Sequence, residues 1–238
     1  MENIAENLKN VLERIETAKQ NSDNKERSIR LVAVSKLKSI DYIIAAYKAG
    51  QRHFGENYVQ ELEEKAQSEQ IKIECPDIKW HFIGHLQSNK AKKVAVLPNL
   101  YVIETVDSIK LADILNTAMA SAQKPLNIMI QINTSNEPQK SGIAPSDLLK
   151  VYEQIRNNFK NLNIMGLMTI GSYEQSTNPD EVNLDFKNLI DCRNELVEKL
   201  NLDPNSIEIS MGMSHDYEEA VKMGSTNIRV GSLIFGSR

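Results

Sequence analysis

With 238 residues, 41% of them hydrophobic and 25% charged, the chain has the composition of an ordinary globular protein and excludes the fibrous and disordered classes. A net charge of −4 speaks against a broad nucleic-acid-binding face, and no apolar run approaches the length of a membrane span. Cys75 and Cys192 lie far apart without metal-type spacing. The expected compartment is therefore the reducing cytoplasm, and the acidic N-terminus carries no apolar stretch of a signal peptide.

Ile4, Leu8, Val11, Leu12 and Ile15 recur at helical spacing, so residues 1–20 read as an amphipathic helix ahead of the first strand. Leu31–Lys36 is a short buried strand that ends on a serine and a lysine. Ser39 begins a helix that Gly50 ends. His53-Phe54-Gly55 is a weak second strand, and a charged helix follows over Asn57–Gln70, with the Glu61–Glu64 run on its solvated face. Lys79–Ile83 is the third strand, with a helix from Lys90 to Val96 whose lysines face solvent. Tyr101–Ile103 is the fourth strand, and Asp107-Ser108 caps the helix after it. Leu126–Ile132 is the fifth strand, followed by a helix bearing Leu148, Leu149, Tyr152 and Ile155. Asn163–Leu167 is the sixth, and Pro179 precedes a helix carrying Phe186, Leu189 and Leu196. Ile207–Ser210 is the seventh, Asp216 caps a short helix, and Asn227–Val230 is the eighth.

Strict alternation of eight strands with helices implies parallel pairing, and eight units in this length favour a single (β/α)₈ TIM barrel of the α/β class over an open sheet. Residues 1–238 read as one domain. The chain stops soon after the eighth strand, so residues 1–20 are expected to pack outside and cover the gap left by a missing last helix. Nothing in the sequence demands a dimer, and a monomer is expected.

Catalytic and binding groups of such barrels gather at the C-terminal ends of the strands, with phosphate commonly held after strands seven and eight. That places Lys36, Asn57, His81, Ile83, His85, Asn133, Met168 and Thr169 on one rim with Ser210–Ser214, Arg229, Gly231 and Ser232. By itself, Lys36 reads as a lysine snorkelling from a strand end, since an unpaired buried ammonium is costly. The turns at Ser210–His215 and Gly231-Ser232 offer backbone N–H groups beside hydroxyls, a pattern that suits a phosphate as well as a tight turn. A lysine across the rim from a phosphate cradle suggests a phosphorylated carbonyl bound as a Schiff base, either pyridoxal phosphate or a sugar phosphate. Arg229 fits a partner for a pyridine nitrogen, or a buried ion pair with Glu208. His81 and His85 lack the HExxH pattern, so no metal site is expected.

The segments Val32–Lys36, Phe54–Glu61, Trp80–Gln87, Gly166–Thr169, Ser210–Asp216 and Arg229–Ser232 with Ile234–Gly236 run in order through nearly the whole chain. Together they resemble the pyridoxal-phosphate homeostasis proteins, single-domain relatives of the N-terminal barrel of alanine racemase. The resemblance implies pyridoxal 5'-phosphate as cofactor, Lys36 as its Schiff-base lysine, and Ser214, Gly231 and Ser232 as its phosphate cradle. It also implies Arg229 near the pyridine nitrogen, with Asn57 and Met213 lining the cofactor. Ser232 stands where the family more often has threonine, which keeps the hydroxyl. The implied role is a carrier and buffer of pyridoxal phosphate with no catalytic residues, handing it to apo-enzymes as recipients and balancing amino-acid and keto-acid pools. A racemase-like enzyme is the alternative, set back by the lack of residues for the second domain that supplies a racemase's tyrosine.

Overall fold

The structure is a computed structural model that describes residues 3–22, 25–135, 137, 140–172, 175 and 182–236. Helix α1 (Ile4–Gln20) precedes β1 (Arg30–Val34), α2 (Ile40–Lys48), β2 (His53–Glu56), α3 (Val59–Gln67), α4 (Glu69–Glu74), β3 (Lys79–Phe82) and α5 (Ser88–Ala95). The chain continues through β4 (Leu100–Val106), α6 (Ile109–Ala118), β5 (Leu126–Gln131), α7 (Leu148–Asn158) and β6 (Leu162–Met168). It ends with α8 (Leu184–Leu200), β7 (Glu208–Ser210), α9 (Tyr217–Lys222), β8 (Asn227–Val230) and α10 (Ser232–Phe235). The strands close as β1 to β8 in sequence order, all parallel, and β1 returns to β8 with Val32 opposite Arg229. This is the (β/α)₈ barrel expected from the alternation.

Side-chain alternation sorts each strand into two faces. Leu31, Ala33, Phe54, Trp80, Phe82, Ile103, Ile128, Ile130, Ile209 and Ile228 share one core with the helices. Each large aliphatic or aromatic side chain buried there contributes about 1.5–3 kcal/mol. The opposite face fills the barrel. Val102, Met129 and Met168 make a small apolar cluster there, while His81, Glu104, Ser210, Asn227 and Arg229 are buried as polar groups. The barrel is thus greasy outside its sheet and polar along much of its axis.

Sequence signals and elements differ in places with clear causes. The charged helix expected over 57–70 is broken at Ser68, whose hydroxyl accepts from Ile71 N and starts α4 instead. Ser108 caps α6 as expected, accepting from Leu111 N at 3.2 Å. Asp216 begins α9 without capping it; its carboxylate accepts from Met213 N at 2.6 Å and so braces the preceding turn. The helix start expected at Pro179 lies outside the described residues.

Helix α1 buries Ile4, Leu8, Val11, Ile15 and Ala18 along one stripe, which packs on α2, α9 and α10. Asn7 Nδ2 donates to Ile234 O in α10 at 3.1 Å, and Arg14 pairs with Glu218 on α9. Because α10 has only four residues, α1 supplies the outer wall at the β8–β1 seam.

Candidate functional site

A cavity of about 440 Å³ opens at the C-terminal ends of the strands. Lys36, Asn57, Met213, Ser214, Arg229, Gly231 and Ser232 all line it, joined by Ile83 and Met168. The residues that sequence reasoning put on the rim for separate reasons therefore meet at one place. Lys38 and Ile170 also line it, unmarked by spacing or chemistry, as do His215 of the Ser210–His215 turn and Gly236 of the Ile234–Gly236 segment. His85, Asn133 and Thr169 line a smaller neighbouring cavity of about 170 Å³. His81 is not on the rim. Strand alternation turns it into the barrel, where it is fully buried.

The turn carrying Lys36 is held from beneath by buried charges. Lys65 Nζ, on α3, donates to Ser35 O at 2.8 Å, Glu56 Oε1 at 2.7 Å and Glu61 Oε1 at 2.9 Å, which uses all three of its protons. Ser35 Oγ donates to Glu56 Oε1 at 2.6 Å, and Leu37 N donates to Glu61 Oε1 at 2.6 Å. Leu37 sits at φ 61°, a left-handed conformation that a branched residue holds only when its surroundings enforce it. Glu61 was expected on a solvated face. Instead it is half-buried and grips the backbone next to Lys36.

On β8, the strand paired with β1, Arg229 is 4% exposed. Its Nη1 donates to Ser210 Oγ at 2.5 Å and its Nη2 to Thr169 O at 2.8 Å. Glu208, offered by the sequence as a partner for Arg229, pairs with Arg30 at the other end of the barrel. Gly231 N donates to Ser214 Oγ at 3.3 Å, tying the two Ser/Gly turns together. A Cβ on Gly231 would lie 3.1 Å from Val34 O, so glycine lets β8 run close beside the end of β1. At the start of α10 the N–H groups of Ser232 and Leu233 have no partner within the helix.

Beneath Arg229, His81 Nδ1 lies 2.6 Å from Glu104, and His53 Nδ1 lies 2.8 Å from His81 Nε2. Burial, then the charges of His81, Arg30 and Lys79, lowers the His53 pKa from 6.5 to about 3; burial also lowers that of His81. The folded protein thus refuses protons that unfolded histidines accept, so stability is full above pH 6.5 and falls as pH drops below it. Urea denaturation between pH 6.5 and about 5 should show that decline before carboxylates titrate. His53→Asn should flatten it, and an unchanged slope in that variant would remove His53 from the effect.

Among the described residues, no group of three or more His, Cys, Asp or Glu side chains is placed to hold a metal ion, and no helix is long and apolar enough to cross a membrane. The sequence pattern of the family described as "Alanine racemase, N-terminal domain" matches residues 6–238. The human pyridoxal phosphate homeostasis protein is 51% identical over 215 residues, spanning 88% of this chain and 76% of that protein. This chain belongs to the pyridoxal phosphate homeostasis protein family. A second member of that name, from Haemophilus influenzae, is 41% identical over 238 residues, covering 99% of this chain and 96% of the relative. Among solved structures, PipY of Synechococcus elongatus with PLP bound is 33% identical at a TM-score of 0.78, covering 98% of this chain and all of that one. Alanine racemase of Clostridium difficile superposes at a TM-score of 0.73 with 12% identity, over all of this chain and 57% of that one, a likeness of fold alone. The homeostasis family therefore shares its barrel with alanine racemase.

Proposed function

We propose that this chain is a carrier and buffer of pyridoxal 5'-phosphate, holding it covalently through Lys36 and releasing it to apo-enzymes that need it. The observation that carries this reading is the convergence of an amine, a guanidinium and two hydroxyl-bearing turns on one cavity. The bound group brings an aldehyde that condenses with an amine. The chain's own groups supply the rest. Ser214 and Ser232 hydroxyls and the N–H groups at the start of α10 suit a phosphate. The Asn57 side-chain oxygen is buried and accepts from nothing among the described residues, which fits a hydroxyl donor on the ligand. Met213 and Met168 give adaptable apolar walls for a ring.

Arg229 favours holding over turnover. A guanidinium stays protonated in proteins, so facing a ring nitrogen it donates a hydrogen bond but leaves that nitrogen without a proton of its own. That weakens the electron sink that α-proton abstraction needs. Both cysteines are free and buried, which suits a reducing cytoplasm. We further read the carrier as a monomer in one domain, without nucleic-acid or membrane partners.

Incubation of the purified protein with pyridoxal phosphate should give a visible absorption band. Borohydride should then fix a cofactor-sized mass on the peptide containing Lys36, and Lys36→Ala should lose both. A colourless wild-type protein, or a fixed mass that maps to Lys38, would overturn this assignment. Deuterium from solvent appearing at Cα of an amino acid, faster than with free cofactor, would favour a racemase-like enzyme.

A further inference from the structure

Arg229 is a buried guanidinium with no carboxylate in direct contact among the described residues. Its counter-charge lies one hydroxyl away. Ser210 Oγ is 2.5 Å from Arg229 Nη1, 3.0 Å from Asn227 Nδ2 and 2.5 Å from Glu104 Oε2. The arginine and the amide can only donate, so the serine proton must point at Glu104. Glu104 Oε1 then accepts from Asn227 Nδ2 at 3.0 Å and from His81 Nδ1 at 2.6 Å. That fixes the His81 tautomer and makes its Nε2 the acceptor of His53 Nδ1–H. The protons of this string are thereby assigned, and it runs from His53 on β2 to the guanidinium in the cavity.

We infer that Glu104 is a positioning residue for the ligand site, delivering its negative charge through the Ser210 hydroxyl to aim Arg229 and set the electrostatic potential of the cavity. The inference rests on the carrier reading. A carboxylate is a costly way to fill a barrel core, since well-packed apolar residues are commonly as stable or more so. Glu104 is fully buried, and burial alone would raise its pKa; the hydrogen bond from His81, the charge of Arg229 and the Ser210 hydroxyl outweigh burial and keep it low. The charged groups facing the network are Arg229, Asp216, Arg30, Glu208 and Lys79, His81 and His53 being neutral. Of these, only Arg229 lines the cavity. Glu104 thus acts on the ligand through Arg229.

Removing the Glu104 charge makes the cavity more positive, so any titrating group of a bound ligand should lose its proton at lower pH. The test compares full-length wild type, Glu104→Gln and Ser210→Ala, titrated with pyridoxal phosphate. Three quantities are read: the thermal midpoint, the dissociation constant, and the pH midpoint of the visible band. In Glu104→Gln, affinity should fall about tenfold and the pH midpoint should drop by about one unit, each equivalent to one tenfold change in an equilibrium. Ser210→Ala should move both in the same direction by less, and it decides alone if Glu104→Gln does not fold. Folded variants with wild-type affinity and pH midpoint would overturn the inference, as would a lowered thermal midpoint without any shift in the band. A wild type that binds no cofactor would instead overturn the carrier reading.

Discussion

Lys65→Met is expected to lower the unfolding free energy by about 3–5 kcal/mol, the usual cost of removing one partner of a buried ion pair. Lys65 is 5% exposed and Glu56 fully buried, so methionine fills the space but strands the carboxylate. Burial pushes the Glu56 pKa up, and the charge and hydrogen bond of Lys65 are the main forces opposing that rise. Without Lys65, Glu56 in the folded variant should take up a proton well above its unfolded value. A raised folded pKa gives stability that is present below the unfolded value and is lost as pH rises through the folded one. The deficit against wild type should therefore be larger at about pH 8 than at about pH 5, on either side of the range in which a raised carboxyl titrates. Adding Glu56→Leu should recover much of the loss, because removing both charges removes the stranded one. Urea titrations at both pH values check this. Equal deficits, or no recovery in the double variant, would show that the pair is not what stabilises the turn. Ser35, Glu61 and Leu37 share the cluster, so the single variant should also bind pyridoxal phosphate more weakly.

Gly84→Ala is expected to be comparably damaging for a different reason. A Cβ at Gly84 would lie 1.9 Å from Asn57 O, 2.7 Å from its carbonyl carbon and 2.9 Å from its Cα. All three are backbone atoms, so no rotamer change relieves the overlap, and either the loop after β2 or the loop after β3 has to move. The β3 loop is itself fastened, with Thr105 Oγ1 donating to Gly84 O at 2.6 Å. Overpacking of this kind costs typically about 1–3 kcal/mol and more where backbone cannot yield. The upper end is expected here. Because Asn57 lines the cavity, the displacement should also lower cofactor affinity. Thermal denaturation and cofactor titration of the variant test both parts; a stable variant with intact affinity would mean that the two loops part without strain.

The outer architecture was legible because it is written in periodicity. Eight apolar runs such as Leu31–Val34 and Leu126–Gln131 alternate with amphipathic helices, and β strands joined by helices have few ways to close. Part of the candidate site was legible because its residues are of unusual types for strand ends: a lysine after an aliphatic run, paired Ser/Gly turns, an arginine within a buried strand. The barrel interior was not legible. His81, Glu104 and Asn227 occupy alternate strand positions, the pattern of residues that face water, and only closure of the sheet turns that face inward. Lys65 and Glu61 were hidden likewise. On a helix, one glutamate and one lysine four residues apart look like solvated surface until Glu56 is brought under them from another element.

The seam where the barrel closes also sets when the site can exist. Asn7 and Ile234 bond across 227 positions of chain, and β1 pairs with β8 along its length. Contacts of such separation are slow to form, because the loop they close carries a large entropy cost before it returns any stabilisation. Ser214, Arg229, Gly231 and Ser232 lie at that seam, whereas Lys36 and its Lys65 clamp belong to the first two strand–helix units. The amine can therefore be in place early, yet the groups suited to phosphate join it only once the circle is complete. On the proposed reading, cofactor capture then reports on finished folding, since a partly assembled chain has the amine without the groups suited to the ligand's anionic end.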